Sequence, residues 1–414
     1  MRLLVFNAGS SSLKFDLMEV QGGQPARRLA AGAFADRGDG ILHPEERSPA
    51  VGRRSGAPPV AAPPAAAPLR TLTEAAQFLL AWLADAALHG RSLLAGLDAT
   101  VHRIVHGGAA FRATSHLREP QLAALAELGV LAPLHNPPAL SVIAAVRTGL
   151  GADLPVVGVF DTAYYATLPE AAWRYAVPGR WYETWGVRRY GFHGTAHRYL
   201  VRAGRARASA GRTMRRVISL QLGRGCSVTA TLDERAIATS MGFTPLEGLV
   251  MGTRSGDLDP GALLYVMERT GLSPAEMRHE LNAGSGLLGL SGRSADMREL
   301  LALQQWGDAS AALAIEIFCR RARHYVAAYM SELSGVDLIV FGGGIGEHCP
   351  EIRHRILEGL EWAGIEVAEG ANLAGVGVET GIAAPASRAA IEVIRVDEAS
   401  ILAAEAAGLL SRGT

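Results

Sequence analysis

The chain has 414 residues, 49% of them apolar and 19% charged, which excludes a wholly disordered protein. Forty basic residues offset forty acidic ones, so no global field favours nucleic acid or an anionic membrane as partner. No apolar stretch reaches the roughly 18 residues of a membrane-spanning helix, and at roughly 150 residues per domain the length points to two or three domains. The opening MRLLVFNAGSSS does not read as a secretory leader. Cys226, Cys319 and Cys349 are widely spaced and form neither a metal-ligand pattern nor a disulfide framework. The expected compartment is the cytoplasm.

In chain order, RLLVFN is a β-rich run ending in a Gly/Ser turn, and LKFDLMEV alternates as its hairpin partner. Residues 36–68 turn to Gly, Pro, Ala and Arg and read as a surface loop. Thr73 is positioned to cap a helix through EAAQFLLAWLADAAL. Short strands and helices then alternate (ATVHRIVHGG, PQLAALAEL, PPALSVIAAVRTGL, PVVGVFDT), an α/β pattern. RRVISLQLGRGCSVTATL repeats the opening shape: apolar strand, glycine-rich turn, alternating strand. The repeat suggests a duplicated α/β domain, each half presenting one turn to a shared cleft. Helices follow at PGALLYVMERTG and ASAALAIEIFCRRARHYVAAYMSEL. A buried strand, DLIVF, then runs into GGGIGEH, and the tail reads as a strand followed by a helix. The expected division is residues 1–155 with 395–414 as an N-terminal domain, and 156–394 as a C-terminal one.

Several segments can carry chemistry. NAGSSSLK (7–14) holds the single lysine among the forty basic residues, Lys14. A Gly/Ser turn there offers backbone N–H groups and hydroxyls to anionic oxygens, and Lys14 adds a point charge. The spacing is not that of a Walker A loop. GGGIGEH permits close backbone approach at a helix start. SGRSADMREL offers Asp296 and Arg298 either to a ribose or base, or simply as a helix cap. HRIVHGG, LAPLHNPP, VFDTAYY, GFHGTAH and SMGFTPLEGLVMGTRSGDLDPG each end an apolar run with a charged or imidazole residue. Arg103, Arg254, His135, His193 and Asp161 would together form a cationic pocket with one carboxylate, suited to a small anionic substrate beside a metal–phosphate centre.

Taken together and in order, NAGSSSLKF, HRIVHGG, LAPLHNP, FDTA, GFHGTAH, SMGFTPLEGLVMGTRSGDLDPG, SGLLGLSGRSADMREL and GGGIGE resemble the acetate kinase family, which includes propionate and butyrate kinases. The resemblance implies two duplicated α/β domains of the acetate kinase, sugar kinase, Hsp70 and actin type, with a nucleotide cleft between them. It implies reversible phosphoryl transfer from ATP to acetate, giving acetyl phosphate and ADP, with Mg²⁺ or Mn²⁺, in a homodimer. By matched position, Ser10, Ser12 and Lys14 belong to the first phosphate loop, with Asn7 and Glu398 at the metal and Asp161 near it. Arg103 and Arg254 flank the phosphoryl group and the acyl carboxylate. His193 would bond phosphoryl oxygens, with His135 nearby. Val105, Leu134, Phe192 and Pro245 match the acyl pocket. Gln221, Leu222, Gly223, Arg224 and Gly225 match the second phosphate loop, and Asp296, Met297, Arg298, Gly344, Ile345 and Gly346 the adenosine site.

The chain departs from the family pattern at several points. Its second loop reads Gln-Leu-Gly-Arg-Gly where the family has His-Leu-Gly-Asn-Gly. Tyr165 replaces a histidine, His348 replaces an asparagine, and segment 36–68 is long. Beside an acetate kinase, the open alternatives are a propionate or butyrate kinase, or a regulatory nucleotide-binding relative.

Overall fold

The computed structural model describes residues 1–9, 11–21, 26–36, 38–45, 60–61, 68–88, 91–208 and 213–412. Ser10 and most of segment 36–68 lie outside the described residues. The chain divides into two compact units, Met1–Tyr164 with Asp397–Thr414, and Tyr165–Val396.

Five strands organise the first unit: β1 (Arg2–Ala8), β2 (Ser12–Glu19), β3 (Arg27–Asp36), β4 (Ala99–Ile104) and β5 (Val156–Phe160). They lie in the order β3-β2-β1-β4-β5, antiparallel through the β1–β2–β3 meander and parallel across β1, β4 and β5. The second unit repeats the plan with β6 (Arg216–Leu222), β7 (Cys226–Leu232), β8 (Arg235–Thr239), β9 (Leu338–Gly342) and β10 (Ala390–Val393), in the order β8-β7-β6-β9-β10. Here too the meander is antiparallel and β6, β9 and β10 run parallel. The duplication expected from the two hairpins is therefore a shared topology, one parallel strand after another added beside the first strand of each meander.

Side-chain alternation along β1 explains the layering. Leu4 and Phe6 face the core shared with α1 (Leu72–Asp85) and α2 (Asn136–Leu150), which contribute Leu79, Leu83, Val142 and Val146. Leu3 and Val5 face the opposite way and pack with Val101, Val157 and Val159 against Leu402, Ala403 and Ala406 of the C-terminal helix Glu398–Leu410. In the second unit, α3 (Gly194–Ala208) packs Leu200 and Val201 on Val217, Leu338 and Val340. Gly204 lets α3 approach closely, because a Cβ there would fall 2.7 Å from Val340 Cγ2.

Three sequence expectations change. Val156–Phe160, assigned to the second domain, pairs with β4 in the first sheet, so the units part after Tyr164. Helix α1 is capped by Thr71 rather than Thr73, because Thr71 and Glu74 form a reciprocal capping box. Segment 36–68, expected as a loop, supplies two short strands to the open edge of β3: Leu42–Glu45 antiparallel and Val60–Ala61 parallel. β3 itself, RRLAAGAFAD, is too rich in Ala and Gly to read as a strand; pairing with β2 makes it one.

The second unit also contains α4 (Met297–Gln305), α5 (Ala309–Glu332) and the glycine-rich α6 (Gly343–His348). The C-terminal end of α6 is held by Arg353, a fully buried guanidinium without a carboxylate partner among the described residues. It donates to the carbonyls of Gly346 (2.8 Å), Glu347 (3.2 Å), Asn372 (2.7 Å) and Gly375 (3.4 Å), and to Asn372 Oδ1 (2.7 Å). Burial pushes its pKa down to about 10, so it stays charged at neutral pH and serves helix-end carbonyls that lack intrahelical partners. Replacing it with leucine leaves several buried acceptors unpaired, each worth about 1–3 kcal/mol. Arg353→Leu is therefore expected to lower the thermal unfolding midpoint by several degrees; an unchanged midpoint would contradict this account of α6.

Candidate active site

In each unit the parallel strands end along one edge of the sheet, where open α/β folds gather polar side chains. In the first unit Asn7 and Arg103 each stand one residue from the ends of β1 and β4, and Asp161 follows β5 directly. Glu398 joins them from the first turn of the C-terminal helix, which Asp397 caps. The four form one network. Arg103 binds Asp161 bidentately, Nε to Oδ1 at 3.0 Å and Nη2 to Oδ2 at 2.6 Å. Its Nη1 donates to Asn7 Oδ1 at 3.1 Å, its Nε lies 3.4 Å from Glu398 Oε1, and Asn7 Nδ2 donates to Glu398 Oε2 at 3.0 Å. Burial alone would depress the guanidinium pKa; the carboxylates of Asp161 and Glu398 outweigh it and raise it.

Lys14 is the antiparallel partner of Asn7 on the hairpin, with an exposed side chain, and Ser12 is half-buried on the same strand. Gly9 N–H donates to the Ser12 carbonyl across the turn at 2.8 Å. Val105 is buried beyond β4, whereas Leu134 is 58% exposed, ahead of His135 at the start of α2.

The second unit builds a different constellation. His193 stands at the head of α3 with a left-handed backbone (φ 57°), and its carbonyl accepts from His197 N–H at 2.9 Å. A left-handed non-glycine residue is strained, and here its neighbours hold it. The buried Tyr165 donates its hydroxyl to the Phe192 carbonyl at 2.6 Å, and its ring fills the space where a Cβ on Gly191 would fall, 2.4 Å from Cδ2. The His193 ring faces the β6–β7 turn: a Cβ on Gly225 would lie 3.2 Å from its Cε1 and Nε2, and 3.6 Å from Arg254 Nη1. Glycine at 225 therefore lets backbone, imidazole and guanidinium converge.

Arg254 is half-buried, and its described partners are the Pro245 carbonyl (3.2 Å) and the Met251 sulfur (3.7 Å). Burial lowers its pKa, with no carboxylate to oppose the shift. The segment carrying Pro245 is folded around Glu247, which pairs with Arg189 and accepts from the Tyr175 hydroxyl. Arg189 also binds the carbonyls of Thr239, Ser240 and Met241.

The remaining residues of this unit form two further groups. Gln221 pairs with Gly342 across β6–β9, its Oε1 buried without a hydrogen-bond partner. Leu222 is buried, Gly223 N–H donates to the Gly225 carbonyl, and the Arg224 side chain is exposed. Asp296 caps α4 and also binds Arg298 through two contacts, 2.6 and 3.1 Å, which hold its carboxyl below the usual range. Met297 is buried behind them. Gly344 is exposed with open space where a Cβ would stand; Ile345 is half-buried and Gly346 buried.

Sequence reasoning overlooked Ser227, His197, Tyr165 and Glu247 as supports of this arrangement. GFHGTAH and TPLEG carried two of them in plain view. Ser227 had no signal, since its role depends on strand register. Among the described residues no cluster of three or more His, Cys, Asp or Glu could hold a metal by itself. Asp161, Glu398 and Asn7 nonetheless offer only hard oxygen donors, the set that Mg²⁺ uses when substrate phosphates and water complete its shell.

Comparisons with known proteins identify the family. The sequence profile of the Acetokinase family matches residues 2–404. The acetate kinase of Solibacter usitatus is 42% identical over 411 residues, and that of Thermotoga maritima 39% over 407, each covering 97% of both chains. Among solved structures, Porphyromonas gingivalis acetate kinase superposes with a TM-score of 0.83 at 35% identity, covering 99% of each chain. A propionate kinase from Francisella tularensis reaches 0.85 at 34%, covering 98% of each. With the duplicated sheets, the Arg103–Asp161–Glu398 network and the His193–Gly225–Arg254 constellation all present, this chain belongs to the acetokinase family, whose members are phosphotransferases with a carboxylate acceptor.

Proposed function

We propose that the chain phosphorylates acetate with ATP, reversibly, giving acetyl phosphate and ADP. The observation that carries this reading is Arg254, a half-buried cation with no carboxylate partner among the described residues, beside His193 and a Cβ-free turn. Such a guanidinium calls for an anion, and a carboxylate or phosphoryl oxygen meets it bidentately.

Two anions must meet in the reaction, so their repulsion dominates the barrier. An acetate oxygen attacks the γ-phosphorus; the new O–P bond forms as the bond to the bridging oxygen breaks, and ADP leaves with that electron pair. No proton is removed, because a carboxylate is already ionised at pH 7. Arg254 and Arg103 neutralise the approaching and transferring groups, while Asp161 and Glu398 hold Arg103 in one orientation. His193 donates a hydrogen bond to the phosphoryl oxygens, with His135 assisting. Val105, Leu134, Phe192 and Pro245 would take the acyl methyl group. Lys14, Ser12 and the Gln221–Gly225 turn would hold phosphates, and Asp296, Arg298, Gly344 and Ile345 the adenosine. Asp161, Glu398 and Asn7 would hold Mg²⁺, or Mn²⁺, through their side-chain oxygens. The ion supplies charge neutralisation across the phosphates. ATP as donor also suggests the cytoplasm, and the family likeness suggests a homodimer, which light scattering in solution would test.

Purified protein with ATP and Mg²⁺ should give a hydroxylamine-trappable acyl phosphate from acetate, less from butyrate, and none after chelation by EDTA. Pocket contacts of one methylene are worth only about 1–3 kcal/mol, so propionate should react measurably. A strong preference for propionate would move the assignment to a propionate kinase, and no acyl phosphate from any short-chain acid would overturn it.

Arg103→Ala and Arg254→Ala should each reduce kcat by roughly 10²-fold or more, with smaller effects on nucleotide binding, as expected for losing one preorganised transition-state contact. Near wild-type kcat at saturating substrates in either variant would remove that arginine from the mechanism.

A further inference from the structure

Behind His193 runs a buried chain of polar groups. Its Nδ1 lies 2.8 Å from Ser227 Oγ; Ser227 Oγ lies 2.7 Å from His197 Nε2; His197 Nδ1 lies 2.7 Å from Ser219 Oγ. Ser219, His197 and Ser227 are each fully shielded from solvent. Ser219 and Ser227 come from adjacent strands β6 and β7, while His193 and His197 are one helical turn apart at the start of α3. The chain is thus built from three separate elements and closed to water.

Its hydrogens are constrained. Burial, with His193 close by, holds the His197 pKa well below its usual 6.5, so the ring is neutral and has one N–H and one lone pair. Ser227 has one hydroxyl hydrogen and two imidazoles within bonding distance, so it donates to one ring and accepts from the other. Hydrogen-bond direction therefore runs one way along the whole chain. If Ser219 donates to His197, then His197 Nε2–H donates to Ser227, Ser227 donates to His193 Nδ1, and the His193 hydrogen lies on Nε2. If the direction reverses, His193 Nε2 presents a lone pair instead. Phosphoryl oxygens accept and do not donate, so with His193 neutral only the first direction serves transfer.

We propose that His197 is a positioning residue which, through Ser227 and backed by Ser219, fixes His193 in the tautomer that carries its hydrogen on Nε2, the edge facing the Gly225 turn. This rests on the acyl-phosphate reading above for its consequence in catalysis, but not for the tautomer itself. A neutral imidazole between two hydroxyls passes a directional constraint that a simple packing residue would not.

The test is the nitrogen spectrum of protein labelled with ¹⁵N-histidine, with the His193 signal identified by its loss in His193→Gln. Wild type is expected to show the Nε2–H tautomer for His193. Ser227→Ala should turn it into a mixture of tautomers and reduce kcat roughly 10²-fold while leaving the nucleotide KM within about twofold. Ser227→Thr, which keeps the hydroxyl, should restore both, and Ser219→Ala should shift the tautomer in the same sense by a smaller amount. An Nδ1–H tautomer in wild type overturns the proposal without any variant. So does a Ser227→Ala protein whose His193 tautomer and kcat match wild type. Wild type that makes no acyl phosphate yet shows Nε2–H would refute the functional reading and leave the relay standing.

Discussion

A guanidinium drawn out of water without a carboxylate is expensive, and the second unit holds Arg254 half-buried with no carboxylate partner among the described residues. Much of the surrounding architecture follows from it. Pro245 turns its carbonyl to Arg254, and Glu247, Arg189 and Tyr175 fix the segment that carries Pro245. Gly242 has no side chain because a Cβ would fall 1.6 Å from Glu247 Oε2, and Gly225 has none because His193 and Arg254 press on the same point. Under the proposed function, an anion on Arg254 would balance that charge.

Arg103 obeys the opposite rule. It is as deeply placed, yet two carboxylates and an amide surround it, so its charge is satisfied before any substrate arrives. Its orientation, rather than its appetite for an anion, is what the first unit secures. The contrast arises from the same topology used twice. Both sheets end their parallel strands on one edge, but the first loads that edge with Asn7, Arg103 and Asp161, and the second with Gln221, Gly342 and the glycine-rich start of α6. A fold plan duplicated at the backbone level has diverged in charge, one edge carrying a guanidinium held by two carboxylates, the other an uncharged amide and glycines.

The strands and hairpins were legible because apolar alternation and Gly/Ser turns are local signals, as in RLLVFN and RRVISLQLGRG. β3 escaped, since Ala and Gly carry little strand preference and only the partner strand decides. The chain's motifs also singled out Arg103, Asp161, His193 and Arg254 as candidates. The sequence could not tell which of them touch. That Arg103 binds Asp161 bidentately while Arg254 binds no acid depends on strand register and burial. Ser227 was invisible for the same reason: a serine inside an apolar strand acquires meaning only when two imidazoles arrive from another element.

The departures from the family pattern can now be weighed by position. Arg224 has an exposed side chain, and its carbonyl, not its guanidinium, accepts from Gly252 N–H at 3.4 Å. Tyr165 sits behind the Phe192–His193 backbone, where a hydroxyl holding a carbonyl is all that the geometry asks. Gln221 is different in kind. Its amide lies against Gly343, with Nε2 2.9 Å from where a Cβ would stand, while Oε1 is buried without a partner. Amide oxygen and nitrogen exchange places by a half-turn of the terminal torsion. Either orientation presents one hydrogen-bonding atom, and an amide, unlike an imidazole, does not titrate near neutral pH. None of these three departures falls on His193, Gly225 or Arg254, so the changes surround the constellation and leave its charge and geometry intact.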